Sequence, residues 1–500
     1  MQTIEMTMPT QLPPDNAAGR PKPSTAFWSR ATGAVAVLSF AAGVWYGIPQ
    51  LDAPARGALI IFGITLGAWV FSRIEETVIA LAALLALALS GVIEPTAMFD
   101  SLGHSLIGLM LASFIIAAAA NATGLSQCLA EAVVRRARSV AQLCYWLTAA
   151  NLVTALFVPA TSARAALMAP VFLALSQHLN QPRVGKVLAL VFPAAILLSA
   201  AASLTGAGAH LLTADLVAQL GGERLDFLRW LTLGLPFALV SSFGSTWVIL
   251  RLFLTGPERR QALTLESGWA KGSETAAPEV SRSKRYYVLG AILAMIGLWA
   301  TAGLHGLDNT LVAVLGALAV TWPGLGPISL KKGFKSVEWG LLIFMAATLE
   351  LGDSLARTGA AEWLVNHLFA GLSGLSGNAP LLAGGVAAIG LLSHLVITSR
   401  SARAAILIPA VILFGLSLGY NPAALAFGAA IASGYCLTFT ASAKPMALFA
   451  QLPTATYGPA DLLRLSGVLL PLHFLLLLLF SWWIWPALGL ELTLGTRPVG

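Results

Sequence analysis

The sequence predicts an all-α polytopic membrane protein: an inverted repeat of transmembrane helices carrying two re-entrant helical hairpins and two unwound helices. Three observations predict it. Hydrophobic residues fill 57% of the 500 positions and charged residues only 10%, where soluble domains carry about 25% charge. The apolar runs are separated by short loops and are too continuous for amphipathic surface helices. Two stretches are near-copies, Thr161-Ser162-Ala163-Arg164-Ala165-Ala166-Leu167-Met168-Ala169-Pro170 and Arg400-Ser401-Ala402-Arg403-Ala404-Ala405-Ile406-Leu407-Ile408-Pro409.

In chain order, residues 1–28 read as a disordered cytoplasmic tail, polar and without the leading apolar core of a signal peptide. Spanning segments follow at about 31–49, 55–72, 77–93 and 104–120, then an amphipathic stretch from Gly124 to Arg138. The first polar island lies in an apolar region, 141–178, that fits two full helices or a re-entrant hairpin, the hairpin being favoured; segments at 186–202 and 230–252 complete a first repeat, 29–254. A basic cytoplasmic linker, 255–285, leads into a second repeat, 286–488. That repeat has segments at 286–304, 309–324 and 339–352, an amphipathic stretch at 358–367, a hairpin at 380–416, and segments at 422–450 and 465–486. Residues 489–500 form the C-terminal tail.

The duplication extends past the islands. Thr123-Gly124 and Thr358-Gly359 precede them, and Asp226 to Pro236 parallels Asp461 to Pro471 at similar spacing. Five crossings separate the islands, an odd number, so the copies should point in opposite directions, as in secondary transporters. Basic residues collect in alternate loops (Arg135, Arg136, Arg138, Arg183, Lys186, the linker, Lys331, Lys332, Lys335), which places the N-terminus in the cytoplasm and the C-terminus outside. An inner membrane of bacterial type is the expected location.

Charge at membrane depth costs several kcal/mol or more, so an arginine there marks a functional site by default. A hairpin tip exposes helix N-terminal N–H groups that attract anions. Thr161, Ser162, Ser399 and Ser401 add hydroxyl donors, and Arg164, Arg400 and Arg403 add charge suited to carboxylate or sulfate oxygens. An isolated arginine can instead snorkel or pair with a structural acid; the matched settings of Arg164 and Arg403 argue for a site. Two further interruptions, Ser203 to His210 and Thr438 to Pro445, contain small and polar residues that unwind a helix. They add Thr205, Gly206, His210, Thr440, Ser442 and Lys444 as candidate substrate contacts.

Nearly every Asp and Glu falls in a tail, loop or segment end, with Glu350 the one carboxylate placed within an apolar run. Cation antiporters and proton pumps need intramembrane acids, so a cation carrier is the weaker reading. Cys128, Cys144 and Cys436 lack metal-ligand spacing and read as buried free thiols. No metal cluster, phosphate loop or Ser/His/Asp arrangement points to an enzyme, and the net charge of +7 fits basic cytoplasmic loops rather than nucleic-acid binding.

At these residues the chain resembles the divalent anion/sodium symporter family, which includes citrate, dicarboxylate and sulfate carriers. The family has two hairpin tips bearing Ser-Asn-Thr; here the tips are Ala160-Thr161-Ser162 and Ser399-Arg400-Ser401. The Ala-Arg that follows (Ala163-Arg164, Ala402-Arg403) is similar to the dicarboxylate exchanger branch. The family's unwound Gly-Thr-Pro-Pro-Asn-like loops correspond to Gly206–His210 and Ala441–Pro445. The resemblance implies a homodimer in the lipid bilayer, with a scaffold and a moving domain that carries the anion by an elevator-like motion. Neither tip keeps the sodium-binding Asn. Arg400 takes the second position, and an altered sodium site near Thr161 and Gly206 is the remaining place for that ion. The expected function is secondary transport of a small di- or tricarboxylate, or sulfate-like anion, by exchange rather than sodium symport, with proton entry through His210 as the other coupling. A metalloid or cation carrier and an anion channel are the alternatives.

Overall fold

The computed structural model describes residues 35 and 38–493, apart from 73, 126–127, 129–131, 133–134, 159, 221–223, 264–280 and 369–377. The expected tail 1–28, Pro159, the centre of the 255–285 linker and the end of the 489–500 tail lie outside the described residues. Those residues are nearly all helical; the only bridges among them are isolated, Ser139 with Ala262 and Tyr420 with Thr493.

After a helical stretch at 38–47, the main helices are α1 (Ala53–Phe71), α2 (Glu76–Leu89), α3 (Ser105–Ala122), α4 (Val140–Thr154), α5 (Thr161–Leu179), α6 (Pro182–Ser199), α7 (Gly208–Leu220) and α8 (Phe227–Phe253). They continue as α9 (Arg282–Ala300), α10 (Asn309–Thr321), α11 (Trp339–Arg357), α12 (Ala360–Leu368), α13 (Ala379–Leu392), α14 (Arg400–Ser417), α15 (Pro422–Ala432), α16 (Lys444–Ala450) and α17 (Pro459–Leu479). Among the described helices, seven are long and apolar enough to cross a bilayer: α1, α3, α6, α8, α11, α14 and α17 with its continuation to Ala487. Each expected spanning segment carries a helix where it is described, though α2, α9, α10 and α15 are not among the seven. The segment at 422–450 divides into α15 and α16, as the small and polar residues between them foretell.

Local sequence sets the boundaries. Pro182, Pro422 and Pro459 stand at the first position of α6, α15 and α17, where the missing N–H is no loss. Asp226 caps α8 by accepting the Arg229 N–H at 2.7 Å. α6 is apolar on every side from Val187 to Leu198 and buried throughout, which makes it a central helix rather than a lipid-facing one. It packs against α4, α5 and α8.

Polar contacts define two ends of the bundle. At one, Lys186 pairs with Asp461 at 3.0 Å, Arg183 with Glu258 at 3.2 Å, and Ser139 bridges Ala262. The starts of α4, α6 and α17 therefore lie beside the segment that follows α8, and α4–α5 leaves at the end where it entered. At the other end, Arg229 donates to the Leu488 and Gly489 carbonyls at 2.7 and 2.6 Å, and the Asn421 N–H donates to the Leu492 carbonyl at 2.8 Å. Gly384, near the start of α13, packs on Leu478 near the end of α17. The α13–α14 pair thus approaches from the second end. The duplicated helices α8 and α17 run antiparallel, and α6 and α15 start from opposite ends.

Single cysteines at Glu258 and Gly489, placed in a Cys128→Ser background, are expected to react with a membrane-impermeant maleimide from opposite sides of the membrane. Labelling of both from one side would contradict the two-ended arrangement.

Candidate functional site between the two tips

The starts of α5 and α14 both border a cavity inside the bundle. Ala160 is extended (φ −120°, ψ 132°) and α5 starts at Thr161; Ser399 caps α14, its hydroxyl accepting the Ala402 N–H at 3.3 Å. Each tip thereby aims a helix N-terminus and its hydroxyls at a shared cavity of about 500 Å³. Of the candidate residues, Thr161, Ser162, Ser399, Arg400, Ser401 and Lys444 line it, with Leu197, Leu341 and Phe344 supplying apolar wall.

The matched arginines sit elsewhere. Arg164 and Arg403, expected to contact the anion, are fully buried and do not line the cavity. Arg164 Nη1 donates to Ser199 Oγ at 3.0 Å and to the Asn151 carbonyl at 3.4 Å. Its Nη2 donates to the carbonyls of Ile196 at 2.7 Å and Gly206 at 3.4 Å. Arg403 repeats the arrangement, with Nη1 on the Ile397 and Thr398 carbonyls (2.7 and 3.4 Å) and Nη2 on the Ser433 carbonyl (3.1 Å) and Cys436 Sγ (2.7 Å). Each guanidinium therefore fastens a tip to the carbonyls freed where a helix unwinds. Backbone so freed at membrane depth needs internal partners.

Arg400 is the one of the three candidate arginines that lines the cavity. Its side chain reaches the cavity wall, where Nη2 lies 2.7 Å from His210 Nε2. Nε and Nη1 are buried with no protein partner. The His210 ring is fully buried and stacks on Trp230 at a centroid distance of 4.8 Å. Its Nδ1 lies 3.0 Å from the Ser203 carbonyl. Nδ1–H therefore donates to Ser203 while Nε2 accepts from Arg400, a neutral ring with both nitrogens engaged. His210 positions Arg400 and leaves no nitrogen open to a travelling proton.

The remaining candidates are also placed off the cavity wall. The Thr205 and Ser203 hydroxyls pair at 2.9 Å, and Ser442 Oγ accepts the Phe439 N–H at 3.1 Å. Thr440 opens the short turn Thr440–Ser442 that precedes α16. Gly206 is needed for close approach, since a Cβ there would stand 2.2 Å from the Ala200 carbonyl oxygen. These residues shape the interrupted helices rather than line the cavity.

Three carboxylates, Glu75, Glu76 and Glu338, line the cavity and were missed by the sequence reading because they stand at segment ends. The Ser162 hydroxyl donates to Glu338 Oε1 at 2.8 Å, and the Ser399 hydroxyl donates to Glu76 Oε1 at 3.0 Å. Thr77 Oγ1 donates to the Gly340 carbonyl at 3.2 Å, joining the starts of α2 and α11 into one ledge below both tips. The scarcity of acids at depth is thus less complete than the sequence suggests. Glu350 is paired with Arg357 at 2.6 Å, away from the cavity. Among the described residues no group of His, Cys, Asp and Glu is arranged to hold a metal ion. The cysteines are free thiols, Cys144 and Cys436 buried and Cys128 partly so.

Apolar spanning helices enclosing a polar cavity between two hairpin tips make this an integral membrane transporter. The chain belongs to the citrate transporter family, whose model matches residues 66–432. A Cupriavidus necator membrane protein is 26% identical over 408 residues, covering 77% of this chain and 75% of that protein. The Escherichia coli citrate/succinate antiporter is 22% identical over 318 residues, 62% of this chain and 64% of the antiporter. The sodium-dependent dicarboxylate transporter SdcS of Staphylococcus aureus is 23% identical over 435 residues, 80% and 81% of the two chains. Among solved structures, the Alcanivorax borkumensis YdaH transporter aligns with a TM-score of 0.56 over 79% of this chain and 88% of its own, at 18% identity. That likeness concerns the fold.

Arg164→Lys or Arg403→Lys is expected to destabilise the protein by on the order of 1–3 kcal/mol, because one ammonium cannot serve the acceptors that the planar fork spans. The readout is a lower melting temperature of the purified variants. Unchanged melting would show that the carbonyls have other partners.

Proposed function

We propose that this protein is a secondary carrier of small di- or tricarboxylates that works by anion exchange rather than sodium symport. The observation that carries the reading is Arg400: a guanidinium at the cavity wall, held by His210, with two buried nitrogens lacking an acceptor. Carboxylate oxygens match that fork geometrically and electrically. Lys444, across the interrupted segment between α15 and α16, adds a second positive charge, and Thr161, Ser162, Ser399 and Ser401 add donors. The names of the relatives support carboxylate chemistry, one being a citrate/succinate antiporter and another a dicarboxylate transporter. They divide on coupling. A fixed guanidinium at the second tip repels a sodium ion at that place while offsetting substrate charge.

The reading extends to the whole chain. Residues 29–254 and 286–488 act as two inverted repeats, with the hairpins re-entering from opposite sides of a bacterial inner membrane, the N-terminus inside and the C-terminus outside. The hairpins and interrupted helices, fastened by Arg164 and Arg403, move as an elevator body against a scaffold in a homodimer. Sodium remains as a second reading because Glu75, Glu76 and Glu338 bring negative charge to the cavity near Thr161.

The test is uptake of labelled succinate and citrate into proteoliposomes preloaded with unlabelled anion, with choline replacing sodium. Uptake is expected to persist and to need the internal anion; collapse without sodium, indifferent to internal anion, would overturn exchange, and flux without trans-stimulation would indicate a channel. Arg400→Gln and Lys444→Gln should each weaken apparent affinity more than tenfold, as loss of a charge-assisted contact of about 1.5–3 kcal/mol requires. Unchanged affinity in both variants would place the anion elsewhere.

A further inference from the structure

The hydroxyls offered to the substrate at both tips are already bonded to carboxylates of the protein. Ser162 of the first tip donates to Glu338, and Ser399 of the second donates to Glu76. We propose that Glu76 and Glu338 determine specificity by standing in for substrate carboxylates, one at each tip, so that only an anion with two or more carboxylates releases both tips together. This rests on the carboxylate-carrier reading above.

The geometry supports replaceable contacts rather than permanent ones. Glu76 is the first residue of α2 and Glu338 directly precedes α11, so each carboxylate stays stabilised by a helix N-terminus after its serine leaves. The two helices pack side by side and are tied by the Thr77 to Gly340 bond, so the ledge is one body. The tips belong to the other body, fastened to the interrupted helices by Arg164 and Arg403. An arriving carboxylate that takes a tip serine enters a cavity also lined by Arg400 and Lys444, and is repelled by the ledge carboxylate it displaces. A monocarboxylate can replace one stand-in and leaves the other tip tied to the ledge. A dicarboxylate replaces both, and the tips part from the ledge with the substrate.

Succinate and butyrate share a four-carbon chain and differ by one carboxylate, which makes them the probes. Binding of each to the purified full chain is measured for the native protein, Glu76→Ala, Glu338→Ala and the double variant, with Glu76→Gln and Glu338→Gln retaining side-chain size in case a truncation fails to fold. Hydrogen exchange over 161–166 and 399–404 is followed without added anion. The double variant is expected to lose at least tenfold of the preference for succinate over butyrate, with the Gln variants shifted in the same direction. Exchange should rise at 161–166 in Glu338→Ala and at 399–404 in Glu76→Ala. An unchanged preference, or unchanged exchange at both tips, overturns the proposal. If the native protein binds succinate and only the preference fails to move, this inference alone falls; if it binds neither succinate nor citrate, the carrier reading beneath it falls as well.

Discussion

Two buried guanidiniums tie the tips to the interrupted helices. A helix that unwinds at membrane depth leaves carbonyls that lipid cannot satisfy. Arg164 and Arg403 each supply donors to such carbonyls from a neighbouring hairpin, joining Ile196 and Gly206 to the first tip and Ser433 to the residues just before the second. Each arginine in turn is tolerable there because acceptors meet both of its Nη groups. Charge and broken backbone stabilise one another, which accounts for their appearing together in both copies.

With the carbonyls satisfied from behind, the tips are free to present N–H groups, serines and Arg400 to the cavity. His210 contributes in a way that its sequence context does not announce. It bonds Ser203 with one nitrogen and Arg400 with the other, so an interrupted helix of the first half orients the cation of the second tip. The site therefore exists only when both halves are docked. Across the cavity, the joined starts of α2 and α11 carry charge opposite to that of Arg400 and Lys444.

The class of fold and the helix positions were legible in the sequence, because apolar continuity is written in local residue order. The roles within the motif were not. Arg400, Ser401 and Arg403 are separated by fractions of a helical turn, and which side chain faces the cavity depends on how α14 is rotated against α15 and the interrupted loop. The duplicated arginine carried the conserved-looking signal yet faces the backbone, while its unduplicated neighbour faces the cavity. Glu76 and Glu338 escaped notice for a different reason. Linear order puts them at segment ends, but α2 is only 14 residues long and its start is drawn down beside that of α11, to the level of the tips. Depth along the membrane normal is a property of packing, and no local pattern encodes it.

The claim on which everything else rests is that the cavity between the tips receives a carboxylate anion. An experimental map of the full-length protein at saturating succinate tests it directly. Density bridging Ser162 and Ser399, within hydrogen-bond distance of Arg400 and absent from a map collected without the anion, is the expected result. A map at saturating succinate with no added density between the tips, or with succinate bound at another place, would contradict it.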